Sequence, residues 1–162
     1  MRISEALRLA IEDVDLKHRV ITVRESKRRQ SRLVPIHSTA RSHLCDYATR
    51  REHRFPNAAF FFVSQSGQRL PYTTVRSTFR CLTNSLGWTA CDRPPRLHDL
   101  RHTFACRVLE KWQHRQTGLE DRIDWLSRYL GHECVSETYW YLSGTPELFA
   151  ATAGRFKYPN PS

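Results

Sequence analysis

The chain has 162 residues, 40% of them hydrophobic and 26% charged, enough for one domain with its own core. Its longest apolar runs, such as residues 58–63, are far too short to cross a bilayer, and no signal peptide precedes the first amphipathic pattern. Lysine and arginine number 26 against 16 acidic residues, and the resulting +10, dominated by arginine, makes nucleic acid a candidate partner.

Ile3, Ala6, Leu7, Ala10 and Ile11 fall at helical spacing, which predicts a helix over residues 2–11. The helix begins abruptly at a charged residue, so a preceding segment is expected. Arg19-Val20-Ile21-Thr22-Val23-Arg24 is β-branched and reads as a strand. A polar, basic turn over residues 25–31 leads to Arg32-Leu33-Val34-Pro35-Ile36, a second strand whose proline suits a sheet edge. The pair predicts a hairpin with a basic tip. Ser38 or Thr39 is placed to cap a helix running to about Glu52, and Phe60 to Val63 reads as a third short strand.

A further helix opens at Tyr72-Thr73-Thr74 and closes at Gly87. Pro94-Pro95 forbids helix. Beyond it, Leu97, Leu100, Phe104, Ala105, Val108 and Leu109 predict the core face of a helix that polar residues 113–118 interrupt. Ile123, Leu126, Tyr129 and Leu130 mark the next helix, closed by Gly131. A short helix around Tyr141 follows, then one from Pro146 to Phe156, then an irregular tail over residues 157–162. The expected fold is mainly α with a small antiparallel three-stranded sheet, an α+β class, organised as one domain over residues 1–156.

Five cysteines, none in a Cys-x-x-Cys pair and odd in number, argue against a zinc ribbon or a disulfide scaffold. Reduced thiols are the expected state. His98 and His132 lack the Cys, Asp or Glu pattern of a zinc site, so neither metal nor cofactor is expected.

The chemistry concentrates near the C-terminal end. His98 and Arg101 lie three apart and share a helix face. His132 follows on another segment, and Tyr141 comes nine residues later. Imidazole, guanidinium and phenol together suit attack on a phosphodiester by a protein hydroxyl. Residue chemistry alone leaves Tyr139 and Tyr141 as alternatives, and either can be plain packing.

Taken in order, Arg2-Ile3-Ser4-Glu5-Ala6-Leu7, Ser26-Lys27 with Arg32-Leu33-Val34-Pro35, His98-Asp99-Leu100-Arg101-His102-Thr103-Phe104-Ala105, Leu130-Gly131-His132 and Thr138-Tyr139-Trp140-Tyr141 resemble the catalytic domain of tyrosine recombinases, the phage-integrase family. The resemblance runs from Arg2 to about Phe156. It implies that architecture without its first helical segment and without the N-terminal core-binding domain.

In that family two arginines stabilise the charge gathering on the phosphate oxygens, and Arg2 and Arg101 match them. His98 and His132 match the imidazole partners of the phosphate, and Lys27 matches the hairpin lysine that protonates the leaving 5′ oxygen. The family's counts from the histidine and from a threonine both land on Tyr141, which would form a 3′-phosphotyrosine bond. Glu5 is expected to brace local structure, and Asp99 and His102 to support the His98–Arg101 helix.

The resemblance further implies double-stranded DNA as partner, with the hairpin arginines Arg24, Arg28, Arg29 and Arg32 as DNA contacts. It also implies a homotetramer on paired sites, with the 146–156 helix packing on a neighbour, and a bacterial cytoplasmic, nucleoid-associated location. A DNA-binding fragment with impaired catalysis and a type IB topoisomerase-like enzyme are the competing readings.

Overall fold

The computed structural model describes residues 1–24, 31–88, 94–114, 119–132 and 134–143. The chain divides into two compact units, one up to Asp99 and one from Leu100 onward. The expected helix over 146–156 and the tail lie outside the described residues, as does most of the basic hairpin tip.

In the first unit the opening helix α1 spans Ile3–Ala6, much shorter than the 2–11 that the periodicity predicts. Tertiary hydrogen bonds explain the early stop. The Leu7 carbonyl accepts from Arg69 Nε at 3.0 Å, and the Leu9 carbonyl accepts from the Phe61 amide at 2.8 Å. These tertiary partners draw the two carbonyls out of the i to i+4 ladder. The apolar residues still reach the core, because Leu7 and Leu9 are buried. A single 3₁₀ turn at Ile11–Asp13 then feeds the sheet.

The sheet has three antiparallel strands in the order β1 (Val14–Asp15), β2 (Val20–Val23) and β3 (Arg32–Pro35). Val20 pairs with Pro35 and Val23 with Arg32, so the proline sits on an edge strand as expected. Ile21, Val23 and Val34 turn inward while Leu33 is exposed, the alternation of a sheet with one covered face. The third strand is not Phe60–Val63. That stretch makes only single bridges, Ala10 with Phe60 and Val63 with Arg69, and β1 completes the sheet instead. Phe61 and Phe62 pack around Tyr47, whose hydroxyl oxygen accepts the Val63 amide at 3.0 Å. Rings wedged into the core in this way serve as side-chain anchors rather than as a ladder.

Helix α2 runs over Ser38–Arg54, and its cap is His37 rather than Ser38 or Thr39: the His37 Nδ1 accepts the Thr39 amide. Helix α3 spans Tyr72–Ser85 and ends in Gly87 at φ 70°, the left-handed residue expected there.

Helix α4 covers Leu97–His114 and carries the chain into the second unit. There it meets α5 (Leu119–Leu130) and α6 (Ser136–Ser143). Ala105, Leu109, Ile123, Leu126, Leu130 and Tyr141 form the buried cluster, with Cys106, Val108, Trp112, Tyr129 and Val135 against it. Each aliphatic side chain fully buried there is worth about 1.5–3 kcal/mol over leaving it in water. Leu100 and Phe104, expected on the core face, are instead exposed. The buried stripe of α4 is Arg101, Ala105 and Leu109, at steps of four, and Leu100 and Phe104 lie one position to its side. No described helix is long and apolar enough to cross a membrane.

The turn between β1 and β2 contains the strained point of the sheet. Asp15 accepts the His18 amide at 2.8 Å, and Arg19 then adopts φ 60°. A left-handed residue costs roughly 1–2 kcal/mol, because its Cβ crowds the following carbonyl, unless it is Gly or, less strongly, Asn or Asp. Arg19 is exposed, and its conformation is held because its carbonyl accepts the Ile36 amide at 2.9 Å. Arg19→Asn is therefore expected to raise stability by about 0.5–1 kcal/mol, read as a higher urea midpoint, while Arg19→Ala gives no such gain.

Candidate active site

In the first unit the acidic group at position 5 organises the basic residues around it. Arg2 is the N-cap of α1, and its amide donates to Glu5 Oε2 at 2.6 Å, the acidic half of a capping box. The same carboxylate takes both terminal nitrogens of Arg32, at 3.1 and 2.8 Å, a fork-to-fork pair. The Arg2 guanidinium stands 3.5 Å from Glu5 Oε1 and keeps 31% of its side chain exposed. Arg32 is only 14% exposed. Its guanidinium ties the sheet edge to α1, so bracing is the work this structure gives it. Arg24, at the end of β2, bonds Asp13 and lies 3.3 Å from Glu12. Lys27, Arg28 and Arg29 lie outside the described residues.

His98 sits in the first turn of α4 and is exposed. Asp99 supports the helix start, with its Oδ2 accepting the Arg96 amide at 2.8 Å. A carboxylate in a first helical turn also suits the positive end of the helix dipole.

The second unit draws its chemistry to the C-terminal end of α5. Gly131 takes φ 76° and donates its amide to Arg128 O, while the His132 amide donates to Ser127 O at 3.0 Å. This is a Schellman close, and it needs a residue free to be left-handed at the glycine position. It sets the direction in which His132 leaves the helix. The last carbonyl, that of Leu130, accepts Arg101 Nη1 at 2.7 Å. A cation donating to a carbonyl at a helix C-terminus is favoured both by the hydrogen bond and by the helix dipole. Arg101 is 9% exposed, and the bond fixes one arm of its guanidinium.

His132 Nδ1 shares a hydrogen bond of 2.7 Å with Thr138 Oγ1 on α6. Thr138 is fully buried, so the ring is oriented by a rigid partner. Tyr141, one turn further on, stacks on His132 with ring centroids 5.6 Å apart and planes 7° from parallel. At that separation the rings are offset, the favoured arrangement. On its other contact Tyr141 meets His102 at 4.9 Å. Tyr141 is 5% exposed and belongs to the buried cluster. Tyr139, by contrast, is 37% exposed.

Three of the residues singled out from sequence thus meet at one helix end: Arg101, His132 and Tyr141. Sequence reasoning placed no weight on Thr138 as a partner of His132. Its only signal was a buried-type position on a short helix, three residues before the tyrosine. His102, read as support for its helix, also meets the phenol ring.

The architecture defines a class. A crystal structure of the XerA recombinase superposes with a TM-score of 0.75 at 28% identity, over 97% of this chain and 54% of that one. A structure of the XerH site-specific recombinase bound to a palindromic difH substrate shares the fold, with a TM-score of 0.70 at 22% identity over 95% of this chain and 41% of that one. The fold is that of a tyrosine recombinase catalytic domain.

Residues 1–147 match the Phage integrase family, and the chain belongs to it. The Sinorhizobium fredii protein named "Putative integrase/recombinase y4rB" is 39% identical over 162 residues, covering 97% of this chain and 52% of its own length. Tyrosine recombinase XerC of Leptospira interrogans is 33% identical over 121 residues, covering 75% of this chain and 35% of its own length. The chain spans about half the length of the first of these relatives, and less of the second.

Glu5 makes the first unit sensitive to acid. Burial pushes its carboxyl up, but hydrogen bonds from Arg32 and the Arg2 amide, with the charge of Arg32, outweigh that and hold it below its ordinary 4.5. A depressed folded-state value stabilises the fold above the unfolded value, and that contribution is lost as pH falls through the folded one. Glu5→Gln is therefore expected to cost about 1–2 kcal/mol at pH 7 and progressively less as the pH is lowered below 4.5. Urea unfolding of both proteins across pH 3–7 (about that range suffices) checks it, and a pH-independent difference would refute the role given to the carboxylate.

Proposed function

We propose that this chain is the catalytic part of a site-specific DNA recombinase that cuts and rejoins double-stranded DNA through a 3′-phosphotyrosine. The observation that carries the reading is the meeting of Tyr141, His132 and Arg101 at the end of α5. Its second support is family membership.

Tyr141 attacks the scissile phosphorus. The bond to the 5′ oxygen breaks and a bond from phosphorus to the phenol oxygen forms. The energy of the DNA link stays in the phosphotyrosine, so a 5′ hydroxyl attacking in turn can rejoin strands without ATP. Negative charge gathers on the non-bridging oxygens during attack, and a guanidinium already fixed in place stabilises that charge without reorganising. Arg101 suits this because the Leu130 carbonyl holds its Nη1 and so fixes the guanidinium in place before the charge develops. His132, oriented by Thr138, offers its imidazole to the phosphate. Arg2, His98 and Lys27 take the roles their motifs imply: second guanidinium, imidazole partner and possible base toward the phenol, and acid for the leaving 5′ oxygen.

The phenol of a residue that is 5% exposed meets a phosphate by a shift of α6, a helix of only 8 residues. Basic residues outside the ion pairs supply the salt-dependent grip on the DNA backbone. Assembly as a tetramer on paired sites, in the bacterial cytoplasm at the nucleoid, is part of the same proposal.

A suicide duplex, nicked so that rejoining fails, tests the reading. A covalent protein–DNA adduct is expected with the chain and none with Tyr141→Phe. Lys27→Ala is expected to slow adduct formation by about a hundredfold, and a 5′-thio leaving group, which needs little protonation, to restore it. Retarded DNA mobility with no adduct would leave a DNA-binding fragment instead. Relaxation of supercoils without strand exchange would point to the topoisomerase.

A further inference from the structure

We propose that His102 is a positioning residue for the nucleophile: with His132 it clamps the ring of Tyr141 between two imidazoles. The proposal builds on the recombinase reading in assigning Tyr141 its chemistry, but the clamp itself stands on geometry.

The Tyr141 ring has two imidazole neighbours from different elements. His132, from the close of α5, lies parallel to it at 5.6 Å. His102, from the second turn of α4, meets it at 4.9 Å with planes 40° apart. Each of these imidazoles is itself tethered. Thr138 Oγ1 orients His132 at 2.7 Å. Cys106, one turn along α4, places its Sγ 3.7 Å from His102 Nε2. Burial, and next the Glu110 carboxylate, push the Cys106 thiol above its ordinary 9.0.

Two tethered rings restrict the phenol more than either does alone. A ring held by one neighbour only can still rotate about its Cα–Cβ and Cβ–Cγ bonds. Contacts on two elements block that rotation and leave motion of α6 as the route by which the phenol advances. Its angle to an incoming phosphate is then largely preset, and orientation is where small displacements are expensive: about 1 Å of misplacement can cost a hundredfold in rate. His102 touches no reacting atom in this scheme and acts through Tyr141.

The test uses the full 162-residue chain, with His102→Ala and His102→Phe. Tyrosine ring-labelled protein gives the first readout, with Tyr141→Phe identifying the Tyr141 signals by NMR. His102→Ala is expected to shift those signals and speed the flipping of the ring, while His102→Phe, which keeps a ring but loses the Cys106 bond, retains slow flipping. Unchanged Tyr141 signals in His102→Ala would overturn the clamp. Should His102→Ala fail to fold, His102→Asn removes the ring while keeping a polar side chain of similar reach.

The second readout is single-turnover adduct formation on the suicide duplex at saturating DNA. His102→Ala is expected to slow it about tenfold with DNA affinity unchanged, and His102→Phe to recover most of that loss. Equal losses in both variants, or a loss that follows DNA affinity, would also overturn the proposal. If the unaltered chain forms no adduct, the recombinase reading falls, and the ring-flip comparison alone decides the clamp.

Discussion

The second unit depends on one bond, from the Arg101 guanidinium to the carbonyl of Leu130. It joins the second turn of α4 to the end of α5, where the chain turns at Gly131 and His132 emerges. A helix end buried without a partner for its last carbonyls is costly, and here the partner is a cation. The same contact therefore terminates a helix, neutralises part of a buried charge and sets the place of a residue proposed to hold a phosphate.

From that bond outward the orientation of each group is inherited from the previous one. The Schellman close directs His132, Thr138 holds its ring, and the ring faces Tyr141. Tyr141 is at once a member of the hydrophobic cluster and the proposed nucleophile. That double role ties chemistry to packing: the cluster that stabilises the unit also keeps the phenol out of bulk water. The first unit follows a parallel logic, in which one carboxylate, that of Glu5, gathers the cap of α1 and the edge strand through Arg2 and Arg32.

Much of this was legible in the chain, for identifiable reasons. Apolar spacing marked α4 and α5, glycines at left-handed positions marked the ends of α3 and α5, and β-branched runs marked β2 and β3. Motif spacing selected Tyr141 over Tyr139, and it is Tyr141 that stacks on His132. What failed were inferences that needed to know who sits opposite. The periodicity at residues 2–11 reads as helix, yet Leu7 and Leu9 give their carbonyls to Arg69 and Phe61. Phe60–Val63 looks like a strand, yet finds no ladder and anchors through its rings. Of the hairpin arginines read as DNA contacts, Arg24 bonds Asp13 and Arg32 bonds Glu5, partners that a linear reading does not name.

The sequence by itself determined the class: local spacing rules are set by the 3.6 and 2.0 periods of helix and strand, and motif order survives without coordinates. It also determined which residue types are available for chemistry at a phosphate. Tertiary structure alone decided which of those groups are already engaged. It gave Arg32 to Glu5, Arg101 to the Leu130 carbonyl, Thr138 to His132 and the face of His102 to Tyr141. Hydrogen bonds and ring contacts form between residues close in space, and separations such as the 27 positions between Glu5 and Arg32 leave no periodic trace for a linear reading to find.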